Sequence, residues 1–443
     1  MIQKVNNHIK SASDATLGWF IFGLALVLRA AYAIFAYSQN VMANFADDNL
    51  YFEIGKKVAG QGQIFYETAD WRYDIIGPFL PWVNGLTIGV FGDSWLPVFL
   101  VTAVVSAAIS LLIYRTTLFI AGRKPALLAG LWSVFYVFYL RYVPTAGKDL
   151  WMAFLLLIIV YYLIKTYNER LGKMRKTIFM TIVFAASMHL DERFIVFGPL
   201  ILFYLIYMEI ISHKTKRWRI PGTFVLLSIL LLIPWNLRNY KKFEKPVILT
   251  TRTERITDKI LGIEHKKRPF EWLYDSANIY QIKPDHYDSI VSGLKTHTDG
   301  GYRISPKQRK AMAKGHLPEQ MSTLESVWMR LKILLRPFQW GGEYQKKGFF
   351  YVEYSSRHNW ASFLFYGLML FASFPGFWWL FRKKREAFYL LAGVIGVYVL
   401  AHALAVPWTT ERYRLPIAAF FIIAGGIGMG WLLEQIKWRI SKN

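Results

Sequence analysis

Apolar residues in this chain run in long, nearly uninterrupted stretches separated by polar connections, and the strict alternation of half-buried strands is absent. Ten stretches stand out: 16–38, 95–120, 125–143, 150–164, 177–190, 195–211, 220–235, 360–381, 387–405 and 416–433. A hydrocarbon core about 30 Å thick needs roughly 20 apolar residues of helix to cross it. Helices satisfy their backbone groups internally where no water is at hand. The pattern therefore predicts an all-α polytopic membrane protein with a bundle of about ten transmembrane helices. The fifth and seventh stretches are short, and tilt or local thinning accommodates them.

Two connections are long. The first, 39–94, holds an amphipathic run at 50–58, with Tyr51, Ile54 and Val58 on one face and Lys56 and Lys57 off it. Such a run suits an interfacial helix, and a second apolar piece at 78–91 is expected at the same interface. The second long connection, 240–359, is polar and mixed in charge, with a turn signal at Thr298-Asp299-Gly300-Gly301 and an amphipathic run at 326–335. It reads as a small cap, opening with a short strand or extended turn at 246–251. The organisation expected is a membrane module at 1–239 with its loop 39–94, a cap at 240–359 and C-terminal helices at 360–443. No internal repeat is visible.

Charge then orients the bundle. Lys and Arg number 53 against 29 Asp and Glu, a formal net charge of +24. The basic residues cluster before the first stretch (Lys4, Lys10) and in every second connection: Arg123-Lys124, Lys173 with Arg175-Lys176, Lys214 to Arg217, Arg382 to Arg385, and the tail from Lys437 to Lys442. Short basic loops stay cytoplasmic, so both termini are expected in the cytoplasm of a multi-pass plasma (inner) membrane protein. The remaining connections, 39–94, 144–148, 191–193, 236–359 and 406–414, fall on the far side. The positive charge is explained by anionic lipid headgroups, and no compact basic module supports nucleic-acid binding. Most of the 17 Trp and 26 Tyr residues fit interfacial belts. The chain has no cysteine, which excludes disulfides and thiolate metal sites. Arg29 interrupts the first stretch, which reads as an uncleaved anchor, although Ala31-Tyr32-Ala33 keeps a cleaved signal as the alternative.

The polar residues of interest all lie on that far side. Asp47-Asp48 follows the first span, and carboxylates at the mouth of a membrane bundle are costly unless solvated or used. The pair is therefore a candidate for chemistry; the competing reading is that it caps a helix beginning near Asn49. Arg238 and Arg412 are candidate cations at the outer ends of spans, with snorkelling as the alternative. Lys148, Arg193 and Arg414 are weaker candidates of the same kind. Asp74, Asp149 and Asp191 either line the same cavity or are solvated or ion-paired, and Arg29 either pairs with one of them or forms another intramembrane salt bridge. His189, Asp191 and Glu192 offer three ligands in a short stretch, without the helical His pair of common metal sites, so no cofactor is expected, with a divalent metal there as the alternative. His265, among Lys266, Lys267 and Arg268, reads as a solvated loop.

Four pieces in order along the chain carry a resemblance. They are Asp47-Asp48-Asn49-Leu50-Tyr51 with Ile54 and Gly60; Gly77-Pro78-Phe79-Leu80-Pro81 with Phe91-Gly92; Pro234-Trp235-Asn236-Leu237-Arg238-Asn239-Tyr240; and Glu411-Arg412-Tyr413-Arg414-Leu415-Pro416. Together they resemble the membrane-embedded GT-C glycosyltransferases of the dolichyl-phosphate-mannose protein mannosyltransferase type and their bacterial relatives, which include the lipid A aminoarabinose transferase. The segment 254–345 matches nothing in that pattern. Lys148-Asp149 stands where a lone carboxylate is usual, Asp191-Glu192-Arg193 is more acidic than the pattern, and Asp48 replaces a common glutamate.

The resemblance implies an enzyme that moves a monosaccharide from a polyprenyl phosphate to an acceptor hydroxyl, with the phosphate as leaving group and inversion at the anomeric carbon. In that reading Asp47 is the general base, and Asp48, Tyr51 and Asp74 orient or bind the acceptor. Arg238, Arg412, Lys148, Arg193 and Arg414 hold the donor phosphate. The partners are the lipid-linked sugar, membrane lipids and a glycan, glycolipid or protein acceptor. Three alternatives stand beside it: a polymerase or ligase of lipid-linked oligosaccharides, a transporter or flippase for lipid-linked sugars, and a structural scaffold.

Overall fold

A computed structural model of the chain describes residues 13–41, 45–62, 76–169, 173–212, 218–244, 247–250, 363–405 and 411–442, with short pieces at 327–350 and 360. These fall into two compact units. One comprises Met1–Thr250, Leu368–Tyr398 and Arg414–Asn443; the other comprises Thr251–Gly367 and Val399–Tyr413.

The first unit is a helical bundle. It opens with α1 (Asp14–Ser38), started by Ser13, whose side chain accepts from Thr16 N at 3.1 Å; such a cap is worth about 1 kcal/mol. Two shorter helices follow, α2 (Phe45–Gln61) and α3 (Phe79–Phe91), then the long α4 (Trp95–Ala121). The next apolar stretch forms α5 (Arg123–Phe135) and a single turn, α6 (Val137–Arg141), separated by Tyr136 in an extended conformation. After α7 (Asp149–Asn168) and α8 (Lys173–Leu190) comes a 3-10 turn, Glu192–Val196, leading into α9 (Phe197–Ile206), which ends in a π-helical turn, Tyr207–Ser212. There follow α10 (Arg219–Phe243), α11 (Leu368–Lys383), α12 (Arg385–Ala405), of which Val399–Ala405 is counted with the second unit, and α13 (Leu415–Ile440); the 3-10 turn Glu411–Arg414 precedes α13, its first three residues also counted with the second unit.

Every residue of α13 from Leu415 to Gly428 is buried, the signature of a helix packed on all sides. Glycine makes this possible. A Cβ on Gly376 of α11 would lie 1.8 Å from Ala424 O, one on Gly428 would lie 2.4 Å from Ala372 O, and one on Gly426 would lie 2.5 Å from the Ala129 side chain of α5. Small residues let helix backbones approach where hydrocarbon supplies no hydrophobic drive. Large apolar residues facing outward, such as Phe20, Phe203 and Leu404, have lipid as their natural surroundings.

Among the described residues eight helices are long and apolar enough to cross a membrane, against about ten expected. The two that differ have physical reasons. The third expected span is broken at Tyr136 into pieces too short to cross alone. The fifth, α8, has only 18 residues, and these include Lys173, Arg175 and Lys176. The amphipathic run 50–58 lies within α2, with Tyr51 and Ile54 buried and Lys57 exposed. The apolar piece 78–91 is α3, 13 residues long.

In the second unit the described residues include a hairpin of two three-residue antiparallel strands, β1 (Glu343–Gln345) and β2 (Gly348–Phe350), pairing Glu343 with Phe350. Tyr366, fully buried, donates from its hydroxyl to Leu334 O at 2.8 Å. Residues 251–326, with the turn signal at 298–301 and His265, lie outside the described residues.

Candidate active site

The acidic pair is built into α2 rather than placed before it. The helix starts at Phe45, so Asp48 is not the cap that a start near Asn49 would make it. Asp48 is fully buried, and Thr145 Oγ1 donates to its Oδ1 at 2.5 Å. The same hydroxyl accepts from Gly147 N at 2.8 Å, and a Cβ on Gly147 would stand 2.9 Å from Asp48 Oδ1. A buried carboxylate is stable only when hydrogen-bonded, and here the loop before α7 closes around it. The side chain of Asp47 and the whole of Asp74 lie outside the described residues. Tyr51, one turn after the pair, is buried.

Neighbouring contacts fix α2 against this loop. Phe52 stacks on Trp95 at 3.9 Å between ring centroids. Gly55 and Gly85 let α2 and α3 cross closely: a Cβ on Gly55 would lie 2.8 Å from Asn84 Cβ, and one on Gly85 would lie 2.7 Å from Val58. Asn84 in turn donates to Ala146 O at 3.2 Å. Thr145 and Asn84 were not singled out from sequence; the Pro-Thr-Ala-Gly turn just before a span was the available signal.

Beside Thr145 sits an ion cluster. Lys148 Nζ lies 2.5 Å from Asp191 Oδ2, and Arg193 reaches Asp191 through NH2 at 2.6 Å and Nε at 2.7 Å. Asp191 also accepts from the Arg193 backbone N–H at 3.0 Å, capping the 3-10 turn. Of the two readings of Asp191, this is the ion-paired one, in a fully buried residue. Burial works to raise its pKa, but Arg193 and Lys148 outweigh that and hold the carboxyl well below the usual carboxylate range. Asp149 and Glu192 are buried close by in sequence. Lys148 and Arg193 are thus already engaged by a carboxylate.

An aromatic group adjoins the cluster. Rings of Trp82, His189 and Trp235 lie 6.0 to 6.5 Å apart. His189 Nε2 is 3.4 Å from Leu231 O, while its Nδ1 has no hydrogen-bond partner among the described residues. Gly77 presses on the same point: a Cβ there would lie 2.0 Å from His189 O.

Arg238 stacks on Trp235, its Cζ 4.8 Å from the ring, and donates to Asn239 Oδ1 at 3.0 Å. Trp235, Asn236 and Asn239 clamp the residues that follow. Leu249 N donates to Asn236 Oδ1 at 3.1 Å, and Leu249 O accepts from Trp235 Nε1 at 2.7 Å and Asn239 Nδ2 at 3.0 Å. This holds Leu249 at φ +65, which costs a non-glycine residue about 1–2 kcal/mol. Residues 247–250 thus contain no strand, the strand offered as one reading, and the chain bends at Leu249 and Thr250.

Arg414 is buried at the N-cap of α13 in the first unit. Arg412 belongs to the second unit, where its NH2 is 3.4 Å from Tyr413 OH. Arg29 does not form the expected salt bridge with Asp149 or Asp191. Its Nε donates to Ser106 Oγ at 2.7 Å, and its NH2 donates to Ser110 Oγ at 3.1 Å and Ser133 O at 3.0 Å. Among the described residues no three His, Asp or Glu side chains are grouped to hold a metal ion.

Residues 76–237 match the family model described as dolichyl-phosphate-mannose-protein mannosyltransferase. This segment contains Thr145, Lys148, Asp191, Arg193 and Trp235. Comparison with curated protein sequences gave no match. Among solved structures, the apo oligosaccharyltransferase of Archaeoglobus fulgidus is similar over 96% of this chain and 52% of its own, at 13% identity and a TM-score of 0.55. The archaeal oligosaccharyltransferase AglB from Archaeoglobus fulgidus, in complex with an inhibitory peptide and a dolichol-phosphate, matches over 94% and 51%, at 13% identity and a TM-score of 0.52. The chain spans about half the length of the structures it matches. It is a multi-pass membrane protein whose fold is similar to that of these archaeal oligosaccharyltransferases, and its residues 76–237 carry the sequence pattern of the dolichyl-phosphate-mannose-protein mannosyltransferase family.

Proposed function

We propose that this protein is a glycosyltransferase that moves a monosaccharide from a polyprenyl-phosphate donor to an acceptor hydroxyl, on the extracytoplasmic side of the plasma membrane, with both termini in the cytoplasm. The observation that carries the reading is the clasp of Asp48 by Thr145, three residues from Lys148, within a loop that belongs to the matched segment. It ties the acidic pair to a rim rich in cations. The similar AglB structure is a complex with a dolichol-phosphate, which supports a lipid phosphate on the donor side.

In this reading Asp47 takes the acceptor proton as the acceptor oxygen attacks the anomeric carbon. The bond from that carbon to the phosphate oxygen breaks, its electron pair leaves with the lipid phosphate, and configuration inverts. Asp48, engaged by Thr145, positions the helix that bears the base, and Tyr51 and Asp74 orient the acceptor. Arg238 and Arg414 receive the phosphate, with Lys148 and Arg193 held near by Asp191. Lys148 and Arg414 stand at the N-caps of α7 and α13. A cation at the positive end of a helix dipole is unfavourable alone and suits an arriving anion. No metal enters this mechanism.

Asp47→Asn tests the reading. With protein level unchanged, transfer from a labelled polyprenyl-phosphate sugar should fall about 10²–10⁴-fold, along with release of free polyprenyl phosphate. Transfer at the wild-type rate would overturn it. The likeness to oligosaccharyltransferases favours one competing reading, a lipid-linked oligosaccharide donor, and parallel assays with mono- and oligosaccharide donors separate the two.

A further inference from the structure

Three hydroxyls stand on one face of α4, at the four-residue spacing of neighbours along a helix: Thr102, Ser106 and Ser110. Each meets a different part of the structure. Ser110 accepts from Arg29, Ser106 accepts from Arg29 and donates to Tyr139 O at 3.1 Å, and the Thr102 hydroxyl shares its one hydrogen between Thr145 O at 3.1 Å and Val98 O of its own helix at 3.0 Å. Arg29 also donates to Ser133 O, in the last turn of α5, where carbonyls lose their intrahelical partners. Residues 133–147, which hold the break at Tyr136, are thereby tied to α4 at successive levels. The last rung is Thr145, whose hydroxyl holds Asp48.

The break has no proline or glycine to cause it, since the local sequence is Ser133-Val134-Phe135-Tyr136-Val137-Phe138. Something must satisfy the backbone groups it frees. Arg29 is fully buried, and among the described residues it faces no carboxylate within ion-pair distance. A buried guanidinium without a counter-ion is costly, and an apolar side chain of similar size would fill the same space. What the guanidinium alone supplies is a planar fork of donors that spans two helices.

We propose that Arg29 is a positioning residue: acting through the hydroxyl ladder of α4, it holds the 133–147 segment so that Thr145 meets Asp48. The acidic rim is thus set from inside the bundle. The kinetic consequence rests on the glycosyltransferase reading above, whereas the structural one does not.

The test uses the purified full chain in detergent, with Arg29→Met, Arg29→Lys and Thr102→Val, the last removing one rung without touching the buried charge. Amide hydrogen exchange in 136–148 and in the first turns of α2 should rise about tenfold in Arg29→Met and Thr102→Val, with α11 and α13 unchanged. In the transfer assay kcat should fall as much as about 10²-fold with little change in KM, and Arg29→Lys should restore part of both. Wild-type exchange at 136–148, or an equal rise throughout the bundle, would overturn the proposal. A wild-type protein that transfers no sugar would instead sink the enzymatic reading, and the exchange pattern would still decide the role of Arg29.

Discussion

Lys148 and Arg193 both spend their charge on the Asp191 carboxylate, which is wholly enclosed. Removing that carboxylate takes from two mostly buried cations the counter-charge they share, so Asp191→Asn should destabilise the protein by about 3–5 kcal/mol. The pH dependence follows from the depressed pKa. A carboxyl whose pKa is lower folded than unfolded stabilises the fold at every pH above its unfolded value, about 3.9. That stability is lost only as pH falls through the depressed folded value. The difference in melting temperature between wild type and Asp191→Asn should therefore stay constant from about pH 5 to 8 and shrink only below about pH 4. A difference that shrinks near neutrality would show that the cluster is not held as described. The single letters Lys148, Asp191 and Arg193 were visible as charges at span ends, but their convergence was not, because 43 residues of chain separate Lys148 from Asp191.

At the scale of elements, the Gly-Pro step before α3 has a steric cause. A methyl group at Gly77 would overlap the His189 carbonyl at the end of α8, which is backbone and cannot swing aside. Gly77→Ala should push α3 from α8 and cost about 1–3 kcal/mol as an overpacking change. Detergent-solubilised protein should melt lower, and fluorescence of Trp82, which packs on His189, should shift. A melting curve like that of the wild type would contradict the close approach. Sequence placed α3 and the amphipathic α2 because their apolar spacing is local. The break at Tyr136 was invisible to it, since Arg29 and Ser106, which satisfy carbonyls in the two pieces of the broken helix, come from other helices.

For the whole molecule, orientation remains a proposal drawn from the lysine and arginine clusters, and the chain itself makes it easy to test. Having no cysteine, it accepts single reporters against a blank background. Gln61, exposed at the end of α2, and Ser441, exposed after α13, are expected on opposite sides of the membrane. In intact cells an impermeant thiol reagent should label Gln61→Cys and spare Ser441→Cys until the membrane is opened. The reverse pattern would place both termini outside and detach the rim from the side proposed for transfer.

What the sequence alone determined is the solvent and the repertoire: apolar stretches long enough to span lipid, basic connections in alternation, and four short pieces resembling one family. Those properties are written in runs of adjacent residues, and a bilayer acts on them locally through the cost of exposing polar backbone. Tertiary structure alone decided which charges are spent and which hydroxyls hold which carbonyls. It joined Asp48 to Thr145 across 97 residues and Arg29 to Ser133 across 104. Hydrogen bonds and ion pairs act over a few ångströms in space, and only packed helices bring such distant positions that close.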